Sequence, residues 1–200
     1  VERHHIIDGQ QRLTTMQYVL TALCHVLREA GQTALLSVVD ACLNNPNPET
    51  MEDREVERFK LWPTFRDRQQ FVSAMTAANY EQLQERFADS FTRQGTLRKI
   101  GADHPPALEA ICYFREAMQE WAKSDRETPP AQLMAALASA ILTDLSIVCI
   151  SLGEEDDAQV IFETLNGRGA ELHATDLIRN FIFMRAGTDA DQLYNNLWSQ

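Results

Sequence analysis

Asp8-Gly9-Gln10-Gln11-Arg12 sets a carboxylate, a residue without a Cβ, two uncharged amides and a guanidinium side by side, directly after the apolar pair Ile6 and Ile7. These types in this order suit a phosphate. The start of a helix offers unpaired N–H groups and partial positive charge. Gly9 lets a ligand approach the backbone closely. Arg12, in the first turn, can add a two-pronged contact to phosphate oxygens. Asp8 can bind Mg²⁺ or position a water. Gln10 and Gln11 can donate and accept hydrogen bonds without adding charge. A plainer arrangement uses the same residues: Gly9 as a turn, Asp8 as a helix cap and Arg12 as a solvated surface charge.

A second polar group lies far along the chain, in Phe162-Glu163-Thr164-Leu165-Asn166-Gly167-Arg168-Gly169, followed by Leu172 and Thr175-Asp176-Leu177. Asn166 and Arg168 sit at a helix end, where they can reach a ligand held by the first group. The plainer alternative is a glycine-rich helix stop and a Thr175 cap, with Phe162, Leu165 and Leu172 as core.

The elements that must position these groups follow from periodicity. Residues 4–8 (HHIID) read as the end of a short strand. From Gly9 a helix runs to about residue 30, its apolar positions Leu13, Met16, Leu20, Leu23, Cys24 and Leu27 spaced by three and four. Gly31 stops it, and a second helix is expected over 32–43, before the Asn- and Pro-rich loop at 44–48. Residues 59–62 have strand character, ended by Pro63. Asp67 can cap a helix to about 78, and 80–89 forms another. The stretch 92–106, broken by Gly95 and Gly101, reads as a mobile loop. Long helices follow at about 107–123 and 130–144, the second opened by Pro129 and Pro130. Residues 145–152 (LSIVCISL) are the clearest strand, rich in β-branched side chains. Helices over about 156–165 and 176–184 complete the pattern, which is helix-rich α+β. If residues 4–8 and 145–152 pair in parallel, both polar groups come to one rim of a small sheet, where open sheets bind ligands. Asp8 and Arg12 are then expected to face one cavity, with the 166–169 turn beside it.

Bulk properties narrow the classes. A net charge of −11 makes the chain a poor non-specific DNA binder, since phosphate neutralisation needs clustered Lys and Arg. No apolar run approaches the roughly 20 residues that span a bilayer, and no signal peptide is visible, so a cytoplasmic chain without membrane contact is expected. Cys24, Cys42, Cys112 and Cys149 form no CxxC pair. They read as buried reduced thiols of a cytosolic protein. His4, His5, His25, His104 and His173 are scattered. His4 and His5, adjacent on a strand, would point to opposite faces and ligate a metal poorly together. The chain begins without Met and enters a motif almost at once, which reads as a missing N-terminal segment.

Asp8 through Thr15, Lys60-Leu61-Trp62-Pro63-Thr64 with Asp67, and the set Phe162, Asn166, Gly169, Leu172, Asp176 and Leu177 together resemble the N-terminal domain family of GmrSD-type restriction endonucleases, marked by DGQQR followed by Leu-Thr-Thr. The resemblance spans nearly the whole chain. It implies a ParB/sulfiredoxin-like small sheet core elaborated by helices, lacking its N-terminal strands here, with a mostly helical insertion at about 31–144 in a single partial domain over 1–200. In that superfamily a Gly-x-x-Arg turn at a helix start holds nucleotide phosphates. The resemblance thus implies nucleotide binding by Gly9, Gln10, Gln11, Arg12, Asn166, Arg168 and Gly169, and catalysis by Asp8, Gln11 and Arg12. Asp8 would hold Mg²⁺ or another divalent cation, with a nucleoside triphosphate as substrate. Family members are linked to NTP hydrolysis and cleavage of modified phage DNA, and many carry a separate HNH-type nuclease domain downstream. An NTP, modified DNA reached through the full-length protein, and a downstream or partner nuclease domain are therefore the expected partners. A non-catalytic nucleotide sensor that switches a partner nuclease, or an inactive remnant, are the alternatives.

Overall fold

The structure, a computed structural model, describes residues 4–63, 68–98, 103–153, 156, 160, 161, 182, 186 and 193. It divides into two compact units, one of Val1–His4 with Gly9–Ile147 and one of His5–Asp8 with Val148–Gln200. Among the described residues no helix is long and apolar enough to cross a membrane.

The first unit is helical and is built around α1 (Gln10–Glu29). Its sequence expectation holds closely. Leu20, Leu23, Cys24 and Leu27 are buried, whereas Leu13 and Met16 near the start are half-buried. From Gln17 to Leu27 nearly every side chain is covered, so α1 is a central helix rather than a surface one. Gly31 ends it as expected, at φ 70°. The Gly31 amide bonds the Arg28 carbonyl at 3.1 Å and the Gln32 amide bonds that of Leu27 at 2.9 Å. That paired closure needs a left-handed residue, which glycine adopts without strain.

The elements around α1 follow in chain order. α2 (Thr33–Leu43) buries Val39 and Leu43. α3 (Arg54–Glu57) is a single turn capped by Asp53, whose carboxylate accepts from the amides of Glu55 and Val56. α4 (Arg68–Met75) buries Phe71 and Ala74. α5 (Tyr80–Arg86) starts at Asn79, which accepts from the Gln82 amide. α6 (Pro106–Ser124) and α7 (Pro130–Ser139) each begin on a proline, whose missing N–H costs nothing in a first turn. A π-helical turn, Ala140–Asp144, extends α7. Helices α2 and α6 pack on α1, and α4 packs on α6. The core joins Leu23 and Leu27 of α1 to Val39, Phe71, Leu83, Leu108 and Ile111, all shielded from solvent. Phe71 meets the Phe59 ring edge-on at 5.5 Å and Tyr18 at 6.1 Å.

The expected sheet core is absent from the described residues. Among the described residues the only β-type pairings are two isolated bridges, Asn44 with Phe59 and Phe91 with Leu97. A ParB/sulfiredoxin-like sheet, and with it the α+β class, is therefore overturned for these residues in favour of an all-helical architecture. The strand expected at 59–62 is a connector instead. Asn45 binds it by donating its amide Nδ2 to the carbonyls of Glu57 and Phe59, and Lys60 N–H donates to the Leu43 carbonyl. Residues 4–8 and 145–152 also form no ladder among the described residues. In the second stretch Leu145, Ile147, Val148 and Ile150 are exposed, Val148 by 87%. β-Branched composition favours a pleated, half-buried surface but cannot supply the neighbouring strand that satisfies the ladder. The breaker-rich stretch after residue 91 folds tightly over residues 92–98. Thr92 N–H bonds the Thr96 carbonyl at 2.8 Å, and the Arg98 side chain bonds the Phe91 carbonyl at 3.0 Å.

Candidate functional site

α1 begins at Gly9, whose backbone sits at φ 89° and ψ 8°. In that left-handed region an L side chain is strained, so glycine answers a local backbone demand. The ladder starts with Leu13 N–H on the Gly9 carbonyl at 3.0 Å. The N-cap residue has no side chain with which to cap, and the first turn holds no acidic residue. Helix geometry leaves the first-turn amides without intrahelical acceptors.

Arg12 turns back toward this start. A Cβ built on Gly9 would lie 3.3 Å from Arg12 Nη2, 3.5 Å from Nε and 3.7 Å from Cζ. The guanidinium therefore covers the face of Gly9 where any side chain would stand. It brings a cation to the end of the helix that is already partially positive. Gln11 and Arg12 are exposed, while Gly9 and Gln10 are half-buried. The two threonines of the motif have a backbone role. Thr14 Oγ1 donates to the Gln10 carbonyl at 2.8 Å, and Thr15 Oγ1 donates to that of Gln11 at 2.9 Å.

The remaining expected site residues are distributed differently. Asp8 is exposed and belongs with the second unit, whereas Gly9 through Arg12 belong with the first. Asn166, Arg168 and Gly169 lie outside the described residues, as do Phe162, Leu172 and the Thr175-Asp176-Leu177 segment. The structure thus brings Gly9 and Arg12 together and leaves the expected meeting of the two polar groups an open expectation. Among the described residues no three His, Cys, Asp or Glu side chains group as metal ligands.

Trp62, from the Lys60-Leu61-Trp62-Pro63 segment, has a packing part. Its ring lies 5.8 Å from that of Phe59, and the Arg68 guanidinium stands 5.6 Å above it. Leu61 is buried.

Sequence reasoning missed a buried polar edge on α1. Gln17, Thr21 and His25 are all buried, at a spacing of four that puts them on one line. Thr21 Oγ1 donates to the Gln17 carbonyl and also lies 3.1 Å from Met75 Sδ. His25 Nε2 lies 3.0 Å from the Ala77 carbonyl, so this nitrogen carries the proton and donates. Gln17 Oε1 and His25 Nδ1 have no hydrogen-bond partner among the described residues. Burial pushes the His25 pKa below the usual imidazole range, against the opposing pull of the Ala77 hydrogen bond. The signal was present in the sequence, because three polar residues interrupt an apolar helix at helical spacing.

The cysteines divide. Cys24 and Cys112 are buried as expected, and burial pushes their thiols up to about 12 and about 11, which makes them poor nucleophiles. Cys42 and Cys149 are exposed, which corrects the expectation that all four are buried. Cys149 follows the 145–152 stretch into solvent.

Residues 1–183 match the family model described as the GmrSD restriction endonuclease, N-terminal domain. No curated protein and no solved structure matches the chain.

Proposed function

Because the chain belongs to the GmrSD restriction endonuclease N-terminal domain family, we propose that it is the nucleotide-binding and hydrolysing module of a modification-dependent restriction and phage-defence endonuclease. The observation that supports this reading is the start of α1, where a left-handed glycine and the Arg12 guanidinium come together at the positive end of a 20-residue helix. A helix start and a guanidinium are groups that suit phosphate oxygens. Gln10 and Gln11 would orient the ligand through neutral hydrogen bonds, with Asn166, Arg168 and Gly169 completing its contacts. Asp8 would hold Mg²⁺. A single carboxylate suits that ion, which commonly takes one or two carboxylates together with the substrate's own phosphates. Bound there, the ion would neutralise charge on the phosphates. Asp8, Gln11 and Arg12 are the residues proposed to position water and stabilise charge during hydrolysis. Modified DNA and a nuclease domain, downstream or on a partner, would be engaged by the full-length protein.

The test is titration of the protein and of Arg12→Ala with ATP and GTP in the presence of Mg²⁺, alongside steady-state phosphate release. Loss of a charge-assisted phosphate contact weakens binding by about 1.5–3 kcal/mol, about ten- to a hundredfold in affinity. Arg12 is exposed, so the melting transition of the variant stays within about 0.5 kcal/mol of wild type. Turnover that Arg12→Ala abolishes supports the hydrolase. Tight binding without turnover selects the nucleotide sensor. Identical affinity in both proteins removes Arg12 from the site.

A further inference from the structure

Helix α6 carries an aromatic strip that the described residues leave uncovered. Tyr113 is 67% exposed and Trp121 45% exposed, with exposed Ala117 between them. A spacing of four puts the three on one line along the helix. The opposite side of α6, with Leu108, Ile111, Cys112 and Met118, is buried in the core. The Tyr113 ring is braced edge-on against Phe114 at 5.3 Å. Beside the strip runs a row of exposed carboxylates, Glu109, Glu116 and Glu120. At about 100° per residue these fall on one flank of the aromatic line.

Two large amphipathic rings two turns apart, separated by a small residue, present a ridge and a hollow for a second helix. Tyr and Trp supply most of the energy at such contacts, because they bury large area with few rotatable bonds. We propose that this face docks an amphipathic helix of another protein segment, with its apolar side on Tyr113, Ala117 and Trp121 and a row of Lys or Arg against Glu109, Glu116 and Glu120. Charge selects this occupant. Nucleic acid and anionic lipid surfaces are repelled by the carboxylate row, and helices that lie on membranes carry cations where α6 carries Glu. A second copy of the chain would bring a net charge of −11 against −11, and an antiparallel pairing of the two strips would set one carboxylate row against the other.

The experiment uses a synthetic Leu/Lys amphipathic helical peptide and a Leu/Glu counterpart, titrated into the protein, into Tyr113→Ala, into Trp121→Ala and into the triple variant E109Q/E116Q/E120Q. All these positions are exposed, and melts confirm that each variant folds. The Leu/Lys peptide is expected to bind, with either aromatic truncation weakening it at least about tenfold. The triple variant is expected to flatten the salt dependence of binding, and the Leu/Glu peptide is expected not to bind. Leu/Lys binding that is unchanged in Tyr113→Ala and Trp121→Ala would overturn the proposal as unspecific charge attraction. Equal binding of the Leu/Glu peptide would overturn the charge assignment. A concentration-dependent dimer in sedimentation, lost in Trp121→Ala, would overturn the choice of occupant in favour of a second copy.

Discussion

Replacing Gly9 by alanine probes the start of α1 in two ways at once. At φ 89° an L side chain costs about 1–2 kcal/mol of backbone strain. The new Cβ also stands 3.3 Å from Arg12 Nη2. That contact is tight, but its partner is the far end of a flexible side chain, so the guanidinium swings away and the backbone stays. The backbone strain by itself lowers the melting temperature by about 2–8 °C for a chain of this size. On the proposed nucleotide reading the displaced guanidinium would forfeit its phosphate contact, weakening ATP binding by about ten- to a hundredfold. Gly9→Asn separates the two effects. Asparagine tolerates the left-handed region better than alanine and should recover part of the melt. Its Cβ still occupies the place over which Arg12 lies, so the loss of affinity should persist. The assays are thermal melts without nucleotide and ATP titration with Mg²⁺ for all three proteins. A Gly9→Ala melt equal to wild type would refute the backbone argument. Wild-type ATP affinity in both variants, with the melts as expected, would refute the coupling of Gly9 to Arg12.

Three further outcomes are expected. His25 is held below the ordinary imidazole range by burial, so the unfolded chain takes up its proton at a higher pH than the folded protein does. Its contribution is therefore complete above about pH 6.5 and declines as the pH falls below that, so melts at about pH 7.5 and about pH 5 should show a drop that shrinks in His25→Gln; an equal drop in both proteins would refute the assignment. Phe71→Ala empties a fully buried ring site between Tyr18 and Phe59 and should cost about 3–5 kcal/mol in denaturant unfolding. A thiol reagent should label Cys42 and Cys149 rapidly in the native protein and reach Cys24 and Cys112 only on unfolding; fast labelling of all four would contradict the burial pattern.

While the single turn of α3 went unread, the sequence by itself determined the longer helices of the first unit. Their limits are local: Gly31 supplies the left-handed residue that closes α1, Pro106 and Pro130 open α6 and α7, and Asn79 caps α5. Apolar spacing of three and four also placed Leu20, Leu23, Cys24 and Leu27 in the core correctly. Helical hydrogen bonds lie within one segment, so a reading of that segment can find them. The order glycine, two glutamines, arginine was legible as a helix start for the same reason. Strands were not. The 145–152 stretch has β composition, yet a strand exists only through bonds to a neighbour distant in sequence, and among the described residues none pairs with it. Residues 59–62 went the same way, because the Asn45 amide took up carbonyls that a second strand would have used. Tertiary structure alone decided which side of α1 carries buried polar groups, since it is the approach of Met75 at the end of α4 and of Ala77 just beyond it that encloses Thr21 and His25. It likewise left Tyr113 and Trp121 in solvent while covering Ile111 and Met118 on the same helix. Periodicity gives a helix its faces, but only the neighbours that arrive determine which face is covered.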